Sequence, residues 1–324
     1  MIRHALIRRV LSCALAALPA TALHAQDFPN RQITIEVGVA PGGITDVTTR
    51  LYAEIVSKSI GQNIIIENRP VAGGAVAAAA VQNAPADGYT LLSVVGSQFA
   101  SVPAMGPAPY DPIKGFALIT LLFRLPTLLV VPADSPAKSA ADLLMLGKTK
   151  PGGLLMASPG AGTPGHLMAA KIALGTNTPI QYVHYRGGAP MMADLIAGRL
   201  DFSFASYPSA GSHLGKTLRV LAVDAEQRIP VLPDTPTMVE AGLGPYRVGN
   251  WCGLLTTAGT PAAIVDKLNR EFVKAARSPE LIKKLTEQGN VIDSSTPQDM
   301  AKLVADEVKS LDQLIRTLGL KVQQ

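Results

Sequence analysis

The stretch Ile33-Thr34-Ile35-Glu36-Val37-Gly38-Val39-Ala40-Pro41-Gly42-Gly43-Ile44-Thr45-Asp46 decides the fold. Its first half, 33–39, is a β-branched run with the composition of a strand. Its second half is a turn built on Pro41, Gly42 and Gly43, and a helix follows over about 46–60. The apolar residues Val47, Leu51, Ile55 and Ile60 fall on one face of that helix, and Gly61 suits the position just past its end. A strand at 64–67, an alanine-rich helix opened by Gly73-Gly74 and a strand at 89–95 complete a β-α-β-α-β order. That alternation predicts an α/β unit with a largely parallel sheet.

Further along, the pattern starts again. Strands are expected at 127–131, 154–157, 180–185, 202–205 and 218–224, and helices at 140–149, 163–174 and 190–197. From Trp251 the chain returns to a strand, then to long periodic helices at 261–276 and 297–318. With 324 residues, two domains are the natural division. We expect 26–125 plus 250–324 to form the first, with 126–249 inserted as the second.

Composition narrows the class. Hydrophobic residues are 48% and charged residues 16%, too apolar for a disordered chain. Of the net charge of +5, three charges come from Arg3, Arg8 and Arg9, and no basic stripe remains to track nucleic acid. Residues 1–25 read as an export signal: a basic start, a short apolar stretch, then small residues, with cleavage after Ala25 or Ala22. Removal of that segment leaves Cys252 as the one cysteine, so no intrachain disulfide is available. No later stretch offers about 18 uninterrupted apolar residues; the run 116–131 is broken by Arg124 and Pro126.

Two glycine-rich turns stand where a strand hands over to a helix. They are Ala40–Asp46 and Ser158-Pro159-Gly160-Ala161-Gly162-Thr163-Pro164-Gly165-His166. The first N–H groups of a helix lack intrahelical partners, and the helix dipole adds positive character there. Both turns therefore favour an anion. Gly160, Gly162 and Gly165 formally match a dinucleotide fingerprint, yet no acidic residue occurs between Asp142 and Asp194 to hold a ribose. No P-loop, no Gly-x-Ser-x-Gly elbow and no helical zinc pair among His166, His184 and His213 is present, so no catalytic residue, metal or cofactor is expected. Asp46 sits in the first helical turn, where its side chain is expected to turn inward onto the loop's N–H groups.

These pieces, with others in order, resemble the substrate-binding receptors of tripartite tricarboxylate transporters (the Bug or TctC-type proteins) from Phe28 to the C-terminus. The matching segments include Phe28-Pro29-Asn30-Arg31, Glu67-Asn68-Arg69-Pro70, Pro85-Ala86-Asp87-Gly88-Tyr89, Tyr110-Asp111-Pro112, Tyr185-Arg186-Gly187-Gly188 and Leu232-Pro233-Asp234-Thr235-Pro236-Thr237. The resemblance implies an α/β, two-domain periplasmic-binding-protein-like fold with crossover hinge strands. It also implies a cleft in which the glycine turns hold the carboxylates of a small organic acid. The chain departs from the family at Ile44, at Val71, at Ser97-Gln98-Phe99-Ala100 and at Ala205-Ser206, where many members carry an aspartate.

We therefore expect a monomeric periplasmic receptor that captures a small carboxylic acid for membrane transporter subunits, with no covalent chemistry. Gly42, Gly43, Thr45 and Asp46 on one side and Ser158, Gly162 and Thr163 on the other line the expected cleft. Ser97, Arg186 and Ser206 stand at its wall, and Phe99 offers an apolar contact. The hinge is expected near 123–127 and 247–255. A sensor for a membrane signalling protein and a periplasmic enzyme on the same fold are the alternatives.

Overall fold

The computed structural model describes residues 28–158, 160, 163–185, 188–244 and 250–319. The expected signal at 1–25, Gly162 and Arg186 lie outside them. The first strands and helices are β1 (Ile33–Val37), α1 (Ile44–Ile60), β2 (Ile64–Asn68), α2 (Ala75–Gln82), β3 (Thr90–Val95), α3 (Gly96–Met105) and β4 (Phe116–Arg124). The middle of the chain forms β5 (Thr127–Pro132), α4 (Ala140–Thr149), β6 (Leu154–Ser158), α5 (Pro164–Thr176), β7 (Ile180–His184), α6 (Gly188–Ile196), β8 (Phe202–Ser206), α7 (Tyr207–Ala210) and β9 (Leu218–Asp224). The last part is β10 (Trp251–Thr257), α8 (Ala262–Ala275), α9 (Pro279–Glu287), β11 (Val291–Ile292) and α10 (Pro297–Leu318).

These strands make two sheets, ordered β11-β4-β10-β3-β1-β2 and β7-β6-β8-β5-β9. In the first, β1 runs parallel to both β2 and β3, while β10 is antiparallel to β3 and to β4. In the second, β6 runs parallel to β7 and β8, while β5 is antiparallel to β8 and to β9. Apart from the extra edge strand β11, the two layouts are the same. The sheets are mixed rather than largely parallel, because β5 and β10 each arrive directly from the other sheet without a helical crossover.

The chain passes between the sheets twice, at Leu125-Pro126 and over 225–250. Leu125 N–H bonds Asn250 O at 2.8 Å. The Asn250 amide donates to Thr127 Oγ1 at 2.8 Å and Asp224 Oδ2 at 2.6 Å, so one side chain ties both crossovers together.

Two local readings are corrected. The sheet-facing side of α1 is Thr45, Thr48, Thr49, Tyr52, Ala53 and Val56, whereas Val47 is 38% exposed. Leu51, Ile55 and Ile60 are half-buried along its flank. Threonine can face the interior because a helical hydroxyl reaches back to a carbonyl, as Thr49 Oγ1 does to Thr45 O at 2.7 Å. Helix α3 carried no sequence signal, since Pro103 interrupts it. The last helix, α10, serves both halves. Met300 and Val304 pack with Leu92, Phe99 and Trp251, while Leu311, Leu314 and Ile315 pack in the core that holds Leu154 and Met156. Among the described residues no helix is long and apolar enough to cross a membrane.

Candidate functional site

In each sheet the central parallel strand has its neighbours reached by crossovers in opposite directions. Helix α1 leads from β1 to β2 on one side, and α2 leads back to β3 on the other. A crevice opens at the carboxyl ends of two such strands, and ligands of open α/β sheets bind there. The switch point of the first sheet lies between the ends of β1 and β3, and that of the second between β6 and β8. The turn containing Gly42–Thr45 stands at the first point and Ser158, Gly160 and Thr163 at the second, with Ser97 and Ser206 at the ends of the adjoining strands.

The crossovers start beside both points. Val95 at the end of β3 pairs with Cys252 at the start of β10. Ser206 at the end of β8 pairs with Thr127 at the start of β5. Both crossovers therefore leave from the strand ends that carry the turns.

At the first turn Gly43 precedes α1 with extended backbone and no side-chain cap. The N–H groups of Ile44, Thr45 and Asp46 come before the first helical bond, from Val47 N–H to Gly43 O at 2.9 Å. Gly42 has φ +84°, a conformation that favours glycine. Asp46 turns inward and braces the loop. Its Oδ2 accepts from Gly42 N–H at 2.9 Å, and its Oδ1 meets Asn68 Nδ2 at 2.8 Å and Arg50 Nη2 at 2.9 Å. Burial raises the Asp46 carboxyl, but Arg50, the Gly42 N–H and Asn68 together hold it below the usual carboxylate range. The anion of Asp46 is thus spent on the loop rather than repelling a ligand.

Thr45 is 3% exposed, so this residue offers the crevice its backbone N–H rather than its hydroxyl. Beneath it the Cys252 thiol lies 3.5 Å from Ser93 Oγ, with Thr45 as a further polar neighbour. Burial pushes that thiol up to about 12, against the weaker pull of Ser93 and Thr45, which keeps it protonated and unreactive. Ser97, in the first turn of α3, has a buried hydroxyl with no hydrogen-bond partner among the described residues. A buried donor left unpaired costs about 1–3 kcal/mol.

The second turn is held by its own hydroxyls. Ser158 Oγ donates to Gly160 O at 2.7 Å and lies 3.0 Å from Thr163 Oγ1, which donates to the same carbonyl at 2.7 Å. Thr163 precedes α5 with extended backbone, no side-chain cap and Pro164 after it, leaving the first-turn N–H groups uncapped. Ser206 is exposed and bonded to Ser209 Oγ at 2.9 Å.

Phe99 is not a cleft residue. It is 3% exposed and stacks on Tyr110 at 5.3 Å in the core. His166 is likewise drawn inward, its ring 4.6 Å from Tyr182 and 4.8 Å from His184. Burial, with His184 alongside, holds it down at about 4, so it is neutral at physiological pH. No group of three or more metal-ligating side chains occurs among the described residues. Trp251, within the expected hinge 247–255, is packed against the first turn of α3. A Cβ on Gly96 would fall 2.1 Å from the Trp251 ring, so the indole lies directly against the residue before Ser97.

A family model described as tripartite tricarboxylate transporter family receptor matches residues 48–320. The UPF0065 protein of the tcbD-tcbE intergenic region in Pseudomonas sp. is 35% identical over 98% of this chain and 96% of its own length. A Rhodopseudomonas palustris protein solved with adipate is similar at 33% identity, with TM-score 0.73 over 91% of this chain and 99% of that one. MatC from the same organism, solved with bound malate, is 30% identical, with TM-score 0.69 over 89% of this chain and 100% of that one.

Proposed function

The chain belongs to the tripartite tricarboxylate transporter receptor family, and from that premise we propose that it captures a small organic carboxylate between its two glycine turns for membrane transporter subunits. One observation supports the reading: two helix N-termini without side-chain caps, one per sheet, stand at the switch points beside the crossovers. Each favours a negative group through unpaired N–H donors and the helix dipole. A diacid spanning the crevice satisfies both.

The binding step needs no covalent chemistry. The two halves, 26–125 with 250–324 and 126–249, close about the crossovers that Asn250 ties. The receptor acts as a monomer in the periplasm after loss of residues 1–25, a reading supported by that segment's composition. Gly162 and Arg186, which lie outside the described residues, remain candidates from the sequence, since a guanidinium suits a bidentate carboxylate contact.

The same site disfavours amino acids. At the position where many relatives carry aspartate this chain has Ala205, which is 5% exposed and packs with Leu128 and Val223. An α-ammonium group there meets no carboxylate at position 205, and an unpaired buried charge costs several kcal/mol. A thermal-shift panel of adipate, malate, free amino acids and neutral sugars tests this. At about 100 times Kd a ligand stabilises the fold by about 2.7 kcal/mol. That corresponds to a rise in melting temperature of roughly 5–10 °C for domains of this size. We expect it with acids alone; a shift with sugars or amino acids and with no acid overturns the reading.

A further inference from the structure

At the crossovers, away from the glycine turns, lies a cavity of about 580 Å³ lined by Arg124, Pro126, Lys171, Asn250, Trp251 and Glu307 among others. None of Gly42, Gly43, Thr45, Ser97, Ser158, Thr163 or Ser206 reaches it. Its most unusual group is Glu307, on α10. One carboxyl oxygen, Oε2, accepts from Trp251 Nε1 at 2.5 Å. The other, Oε1, is buried without a hydrogen-bond partner among the described residues.

Three observations tie this carboxyl to the cleft. Trp251 is 2% exposed, and its ring lies against Gly96, the first residue of α3. The next residue, Ser97, holds the unpartnered buried hydroxyl at the switch point. Glu307 also stands where α10 leaves one core for the other, between Val304 and Leu311. Close by, Lys171 Nζ on α5 donates to Ser310 Oγ at 3.1 Å, so the second half grips the same stretch of helix.

We propose that Glu307 is a positioning residue for the binding cleft: by holding the Trp251 indole it fixes the first turn of α3, and with it the Ser97 hydroxyl, where the ligand is met. The proposal rests on the reading that a carboxylate binds at the glycine turns. Glu307 touches no ligand; it acts through Trp251.

The arrangement also makes the anchor pH-sensitive. Burial pushes the Glu307 carboxyl up to about 7, against the Trp251 N–H and the charges of Lys171 on α5 and Arg124 on β4, while Asp224 on β9 pushes it further up. Of the other acids at the cavity, Asp293 is held by Arg124 at 2.6 Å, and Asp306 pairs with Lys302 in solvent. Glu226 lies 3.9 Å from Arg124, and Arg228 pairs with Glu240 at 3.0 Å. A carboxylate accepts the indole bond more strongly than a neutral acid. The anchor therefore tightens as pH rises through about 7 and slackens below it.

The test uses the mature protein with E307Q and E307L. Trp251 is the one tryptophan, so emission reports it alone. Emission and adipate affinity are followed from about pH 5.5 to about 8.5, bracketing the Glu307 transition near 7. In the wild type both should change together across that transition, and E307Q should show neither change. At the alkaline end E307L should bind adipate about tenfold more weakly while still melting cooperatively. Wild-type emission that is flat with pH, an E307Q profile like the wild type's, or emission that titrates with no change in affinity overturns the proposal. If E307L does not fold, E307Q decides the matter alone. The emission arm needs no ligand, so a protein whose Trp251 titrates but which binds no acid contradicts the carboxylate reading instead.

Discussion

Aspartate in place of Gly43 should abolish carboxylate binding without harming the fold. Gly43 has φ −70° and ψ 161°, a backbone any residue adopts. A Cβ built there would meet only Ala40 O at 3.6 Å, an ordinary contact. The new carboxylate would sit at the cap position of α1 and accept from the same first-turn N–H groups that a ligand uses. It would also set a negative charge against the ligand's own. Loss of two or more charge-assisted hydrogen bonds, with repulsion added, corresponds to at least about a hundredfold weaker binding. Calorimetry with adipate on G43D, beside its melting curve, checks this. Intact binding would show that the first turn is not where acids are held.

The second large effect is on stability. Gly96→Ala places a methyl group 2.1 Å from the Trp251 ring. The opposite edge of the indole is crowded as well: a Cβ on Gly253 would fall 2.9 Å from the ring and 2.3 Å from Met300, so the ring can move only at the cost of its bond to Glu307. Overpacking a closed site costs about 1–3 kcal/mol, and here we expect the upper end. Melting should fall by roughly 6–12 °C, with a shifted Trp251 emission. Unlike G43D, this variant should lose stability and affinity together, because the first turn of α3 carries Ser97. A variant that melts and emits like the wild type would mean that the indole does not set that turn.

The elements around the candidate site were legible because their signals are local. A β-branched run, a proline-glycine turn and a periodic helix lie within about 30 residues, and the Gly61 cap, at φ +70°, sits where the pattern ends. Both glycine turns stand at strand ends for the same reason. What stayed hidden depends on contacts distant in sequence. The interior face of α1 is threonine-rich, with Thr49 Oγ1 bonded back to Thr45 O, and hydropathy alone picks the flank of Leu51 and Ile55 instead. Phe99 belongs to the core because Tyr110 and Phe116 close over it. The indole bond joins residues 56 positions apart, and no spacing rule announces it. The antiparallel strands β5 and β10 follow from the double passage between sheets, which a strand-by-strand reading does not reveal.

The central claim is that a small carboxylate is held between the two switch points. A crystal structure of the protein grown with adipate tests it most directly. One carboxylate should lie within hydrogen-bond reach, directly or through one water, of the N–H groups at Gly43–Thr45 and of the Ser97 hydroxyl, with the other end turned toward Thr163. Adipate found instead in the crossover cavity beside Glu307, or anywhere that leaves both glycine turns empty, would contradict it.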